Sequence, residues 1–128
     1  MLRLLAEPAF VLHRRQYSES SLLLEVLTRE HGRLGLLARG ARGARSALPA
    51  LLQPFQELRI DAAGSGELLR LNRAEPHQEP VSLPGERALA GLYCNELLVR
   101  LWPRADAQPE LFERYLSLIH ISEPTRPY

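Results

Sequence analysis

Residues 21–45 read SLLLEVLTREHGRLGLLARGARGAR. Leu22, Leu24 and Val26 alternate with Leu23, Glu25 and Leu27. A period of two argues for a strand, although the leucines would also suit a helix. Glu30-His31-Gly32 then reads as a tight turn, with glycine free to take the positive φ such a turn needs. Residues 32–38, GRLGLLA, return as the partner strand. The remainder, Arg39-Gly40-Ala41-Arg42-Gly43-Ala44-Arg45, is a loop with arginine at every third position. Between Thr28 and Arg45 five arginines face one acid, Glu30, so 18 residues carry +4. Guanidinium groups grip phosphate oxygens in bidentate fashion, and glycines let backbone N–H groups come close to a ligand. The stretch therefore reads either as a surface for a nucleic-acid backbone or as a solvated hairpin with a charged loop.

The same pattern extends on both sides. Upstream, residues 9–15 (AFVLHRR) form a short strand candidate, followed by a polar turn that carries Tyr17. Downstream, residues 47–53 (ALPALLQ) suit a helical turn with Leu48, Leu51 and Leu52 on one side, ended by Pro54. Residues 55–62 (FQELRIDA) alternate again, with Leu58 and Ile60 inward. Gly64-Ser65-Gly66 is a hairpin turn, and residues 67–74 (ELLRLNRA) place Leu69 and Leu71 opposite Arg70. Five strands with a short helix between the third and fourth predict a five-stranded OB-fold barrel. A small SH3-like barrel is the competing topology.

Residues 75–84 hold three prolines and no period, which marks a linker. Beyond it the period becomes helical. Leu89, Leu92, Tyr93, Leu97 and Leu101 predict an apolar stripe on a first helix, and Pro103 stops the run. A second helix from about Pro109 would carry Leu111, Phe112, Tyr115, Leu116 and Ile119 on one face. Two such stripes cannot be buried alone, so the helices dock on the barrel or belong to a longer helical domain. The fold class is mainly β with C-terminal helices. Residues 1–78 form the barrel domain and 79–115 begin a helical domain. Residues 116–126, LSLIHISEPTR, resemble the translation of a transposase end sequence used in preparing DNA for sequencing. Residues 116–128 are therefore expected to be a non-native read-through tail with no part in function.

The chain has 128 residues and a net charge of +1, unevenly spread. Residues 1–78 hold 11 arginines and 8 acids, whereas residues 79–128 hold 5 and 7. All 16 basic residues are arginine. A single cysteine, Cys94, excludes an internal disulfide and a multi-cysteine zinc site in this stretch, and fits a reducing compartment. The opening residues are too short and too broken by Glu7 and Pro8 for a signal peptide, and no apolar run nears the ~20 residues that span a bilayer. A soluble cytoplasmic protein is expected. The glycines follow neither the Walker nor the GxGxxG spacing, and His13, His31 and His77 lack metal-ligand spacing. Cys94 has no local cation to activate it. No catalytic constellation, metal or cofactor is expected, and the chain does not read as an enzyme.

What remains is the arginine distribution. Arg14, Arg15, Arg33, Arg39, Arg42, Arg45, Arg70 and Arg73 are the candidate DNA-binding cations, expected to gather on one barrel face. Such a strip neutralises phosphates and releases counterions, so binding would depend strongly on salt and little on sequence. Tyr17 is the candidate for stacking a base, whereas Phe55 suits the core better.

Residues 9–46 resemble the amino-terminal barrel of the RecO family of bacterial recombination mediators. The likeness lies in the strand ending at Arg14-Arg15, in Tyr17-Ser18-Glu19-Ser20-Ser21-Leu22, and in Thr28-Arg29-Glu30-His31-Gly32-Arg33. Ala38-Arg39-Gly40-Ala41-Arg42 looks like that family's K/R-G-A-R element. Leu51-Leu52-Gln53-Pro54-Phe55, Gly66-Glu67-Leu68 and Leu92-Tyr93-Cys94-Asn95-Glu96-Leu97-Leu98 also fit. This resemblance implies an OB barrel followed by a helical domain, nucleoid association, and binding of single- and double-stranded DNA. It implies strand annealing and, with RecR, loading of RecA on DNA coated with single-stranded-DNA-binding protein (SSB). Family members run to about twice this length, and many carry a four-cysteine zinc site in the further part. The SSB contact also belongs there. Two other readings stay open: an OB module that docks an acidic partner tail, and an RNA-binding OB domain.

Overall fold

The hairpin read at residues 22–38 forms, and a barrel closes around it. A computed structural model describes residues 1–40, 48–78 and 83–121. Its strands are β1 (Leu2–Gln16), β2 (Leu22–Thr28), β3 (Gly32–Ala38), β4 (Glu57–Gly64) and β5 (Leu68–Pro76), with the short α1 (Leu48–Leu51) between β3 and β4. They are ordered β1-β2-β3-β5-β4 and closed by β4 pairing with β1. Only β3 and β5 pair in parallel. That order and the inserted helix are the OB arrangement, not the SH3-like alternative.

Alternation decides what fills the barrel. Leu22, Leu24 and Val26 of β2, Leu34 and Leu36 of β3, Leu58 and Ile60 of β4 and Leu69 of β5 all point inward and are buried. Leu52, just after α1, joins them. Each such side chain contributes about 1.5–3 kcal/mol on leaving water.

β1 is longer than its sequence suggested, because the strand begins at Leu2 and not at Ala9. The register shifts between Leu4 and Glu7, where Ala6 takes φ 50°. The Ala6 N–H donates to Asp61 Oδ1 at 2.8 Å. Glu7 is buried and accepts the Glu30 N–H at 2.7 Å. The acid that interrupts the apolar pattern thus fastens β1 to the β2–β3 turn. Thr28, fully buried, completes that turn: its hydroxyl donates to the Gly32 carbonyl at 2.8 Å and accepts the His31 N–H at 3.1 Å.

Two helices, α2 (Gly85–Leu101) and α3 (Pro109–Ile121), cover the outside of the barrel. Phe10, Leu12 and Leu27 point outward from β1 and β2 and form a second core with Phe55, Phe112, Tyr115 and Ile119. Phe10 packs on Phe112 and Tyr115, with ring centroids 5.6 and 5.0 Å apart. The Tyr115 hydroxyl donates to Asn95 Oδ1 at 2.6 Å. Burial pushes the Tyr115 phenol well above its ordinary range; the nearby Cys94 adds to this, and the bond to Asn95 opposes it. Burial likewise raises the Cys94 thiol. α3 runs through Ile121, past the point where a tail was expected. Leu116 and Ile119 fall on the face that Phe112 and Tyr115 already use, so an apolar continuation extends the helix whatever its origin.

The apolar stripe expected on α2 faces outward. Leu89, Tyr93 and Leu101 are 66–74% exposed, and Leu92 and Leu97 are exposed too. The helix docks instead through Gly91, Cys94, Asn95, Leu98 and Val99. Close approach explains the choice: a Cβ at Gly91 would lie 2.6 Å from Phe55 Cζ, so only glycine admits the ring there. Among the described residues, no helix is long and apolar enough to cross a membrane.

Candidate nucleic-acid interface

Two connections meet at one end of the barrel, where Gln16, Leu22 and Ala38 are cross-strand partners: the β1–β2 loop with Tyr17 and the exit of β3 at Arg39-Gly40. Ser65, in the β4–β5 turn, shares a cleft with Arg39. The Tyr17 N–H closes its loop on the Ser21 carbonyl at 3.0 Å, and the ring is 59% exposed. Around this end runs a belt of cross-strand partners: Arg15 beside Leu23, Leu23 beside Leu37, Leu37 beside Arg70, Arg70 beside Ala63, and Ala63 beside Arg3. Directly opposed residues share a face, so these side chains share the barrel's outer side. Arg15 and Arg70 are exposed, with half-buried Leu23 and Leu37 between them. Three strand spacings separate the two cations, roughly 14 Å.

The candidate arginines divide by position. Arg15, Arg39 and Arg70 stand exposed at this end and form no ion pair among the described residues. Arg39 and Arg70 line one cleft of about 250 Å³ with Leu37, Ser65, Leu68 and Met1. Arg15 lines a neighbouring cleft of about 420 Å³ with His13, Leu23, Glu25, Glu67 and Arg104. Leu68, the first residue of β5, borders both. Arg14 instead turns towards α1, its Nη1 donating to the Leu52 carbonyl at 3.1 Å. Arg73 pairs with Glu75 on the β4–β5 face, beside Arg59 and Asp61. Arg42 and Arg45 lie outside the described residues. Phe55 is buried in the second core.

Arg33 has a structural partner set. Its side chain is only 12% exposed; Nη1 meets Glu25 Oε2 at 2.6 Å, and Nε donates to the Trp102 carbonyl at 2.8 Å. The other Glu25 oxygen accepts from Arg104, whose ionisation is pushed up chiefly by that hydrogen bond. Ala105 N–H donates to the Arg33 carbonyl at 2.8 Å. The α2–α3 connection thus lies along β3. It crosses Gly35, where a Cβ would stand 2.9 Å from the Arg104 guanidinium. This covers the Gly32–Gly35 half of β3 and, among the described residues, leaves the loop end open.

Two further cations escaped the sequence reading: Arg3, beside Ala63 on the outer belt, and Arg104, over the covered half of β3. Arg3 was missed because the strand was started at Ala9, although Leu2 and Leu4 already alternate with Arg3 and Leu5. Arg104 comes from the helical half, and only tertiary docking brings it to β2. Among the described residues, no cluster of three or more His, Cys, Asp or Glu is placed to hold a metal. The open end can hold an anion chain by charge and a flat apolar group by contact.

The family described as recombination protein O N terminal matches residues 1–80. The chain is 46% identical over 118 residues to the DNA repair protein RecO of Ralstonia nicotianae, covering 92% of this chain and 43% of that protein. It is 49% identical over 113 residues to that of Methylococcus capsulatus, covering 88% and 47%. It is 53% identical over 110 residues to that of Xanthomonas campestris pv. campestris, covering 85% and 46%. The chain spans 40–50% of the length of such relatives.

Proposed function

The chain belongs to the RecO family, and from that premise we propose that it is the DNA-binding part of a mediator of recombinational DNA repair. In this reading the whole protein anneals complementary strands and acts with RecR to load RecA on SSB-coated single strands. The observation that carries it is the loop end of the barrel. Arg15, Arg39 and Arg70 are exposed there and form no ion pair among the described residues, on the side where OB barrels take oligonucleotides. The mechanism is electrostatic. Guanidinium groups neutralise phosphates, release counterions and lower the repulsion between two approaching strands. No bond is made or broken by the protein. Arg42 and Arg45 extend the same cationic run in sequence. Contacts to SSB belong to the further helical part.

The test is a salt titration of single-stranded DNA binding. Each phosphate contact adds about 0.7 to the slope of log K against log salt, so Arg15→Ala with Arg39→Ala and Arg70→Ala should flatten it by about 2. Arg33→Ala is the control: it should weaken the fold and leave the slope alone, since its charge is already matched by Glu25. An unchanged slope in the triple variant refutes the assignment. Binding of an acidic peptide without binding of oligonucleotides would favour a protein-docking barrel, and tighter binding of a matched RNA would favour an RNA module.

A further inference from the structure

The cleft between the end of β3 and the start of β5 combines two kinds of surface that a duplex could not use together. Its cations are Arg39 and Arg70, and among the described residues no carboxylate lines it. Its floor is aliphatic. The parallel β3–β5 register sets Leu68 beside Gly35 and Arg70 beside Leu37. Alternation then sends Leu69 into the barrel, 3% exposed, and leaves Leu68 outside, 39% exposed. Val99 of α2 and Arg104 share the neighbouring cleft with Leu68 yet leave it exposed, although a leucine at a strand start gains nothing from facing water. At about 250 Å³ the cleft falls just below the roughly 300–1,000 Å³ of ordinary small-molecule pockets, so it admits one heterocycle and not a stacked pair. The neighbouring cleft differs in charge. There Arg15 and Arg104 are offset by Glu25 and Glu67.

Resting on the DNA-binding reading above, we infer that the Arg39–Arg70 cleft is a subsite for one unpaired nucleotide. Arg39 and Arg70 hold the phosphates on either side, and Leu37 and Leu68 lie under the base. In a duplex the bases face one another inside the stack and cannot reach this floor. The subsite therefore favours single strands, while the surrounding arginines hold either form. Because no aromatic lines the cleft among the described residues, the base is held by desolvation and dispersion. Its identity is not read by hydrogen bonds, so any base fits.

The experiment compares an eight-nucleotide oligo-dT with the same backbone carrying abasic sites, both titrated into the 128-residue chain. Aromatic platforms contribute about five- to 150-fold per base, and an aliphatic floor should contribute less, about three- to fivefold. Leu68→Ser should weaken oligo-dT by that factor and leave the abasic strand unchanged. Leu68→Phe should strengthen oligo-dT alone. Arg70→Ala should weaken both strands equally. The inference is overturned if Leu68→Ser shifts both strands together or neither, while duplex and single strands still bind. If no DNA binds at low salt, the underlying DNA-binding reading falls with it, and that result is distinct.

Discussion

Gly32→Ala should cost this fold about 3–4 kcal/mol, against about 1–2 kcal/mol for Gly40→Ala, where the only penalty is an alanine forced into the left-handed region. The two glycines are matched in backbone, with φ 70° and 71°. They differ in what faces them. An added Cβ at Gly40 meets nothing within 4 Å among the described residues, whereas one at Gly32 would lie 2.6 Å from the Asp106 carbonyl carbon and closer still to its oxygen. That carbonyl is backbone and cannot rotate away, so the α2–α3 connection must retreat by about 1 Å to reach ordinary contact. The retreat breaks the bond from the Ala105 N–H to the Arg33 carbonyl and that from Arg33 Nε to the Trp102 carbonyl, both 2.8 Å. Each is worth about 1 kcal/mol net, which supplies the difference. Urea denaturation of both variants measures it. The chain's one tryptophan, Trp102, sits in the displaced connection and reports it independently. Its emission should shift to the red in Gly32→Ala and stay in place in Gly40→Ala. Equal costs within about 0.5 kcal/mol, with Trp102 unmoved in both, would show that the connection does not lie on β3.

The two faces of the helical layer should respond oppositely to substitution. Phe112→Ala removes a ring 1% exposed and should cost about 3–5 kcal/mol, whereas Leu89→Ser, at a site 68% exposed, should stay within about 0.5 kcal/mol. The reverse order in denaturant midpoints would mean that α2 docks through its leucine stripe. Stability should also fall at alkaline pH. The Tyr115 phenol is raised in the fold, first by burial, so its contribution is fully present below the unfolded value of about 10 and is lost as pH rises beyond it. Thermal melts from pH 8 to 11 should decline more steeply for the parent chain than for Tyr115→Phe. Parallel declines would remove Tyr115 as the cause.

Much of the barrel was legible because alternation is a local property. The residues from Leu22 to Ala38 carry a period of two, a turn threonine and a glycine at the bend, and these are sufficient to make a hairpin. The β4–β5 pair is legible for the same reason. Strand 1 was read short because Glu7 and Pro8 look like breakers, whereas the buried Glu7 carboxylate is satisfied by a backbone N–H 23 residues away. Of the candidate site residues, Arg15 and Arg70 share the outer belt, and Arg39 shares a cleft with Arg70. Arg33 does not join them, because its fate depends on Glu25 and on a connection nearly 70 residues downstream.

Sequence alone determined the strands, the turn and the excess of arginine, since periodicity and composition are carried by neighbours along the chain. It also bore the family likeness. Only the tertiary structure decided which arginines remain available to a ligand and which side of α2 meets the barrel. A period marks the residues that share a face without saying what that face will touch. α2 offers large leucines on one side and Gly91 with Asn95 on the other. Docking against Phe55 selects the side that permits close approach, and leaves the more hydrophobic one in water.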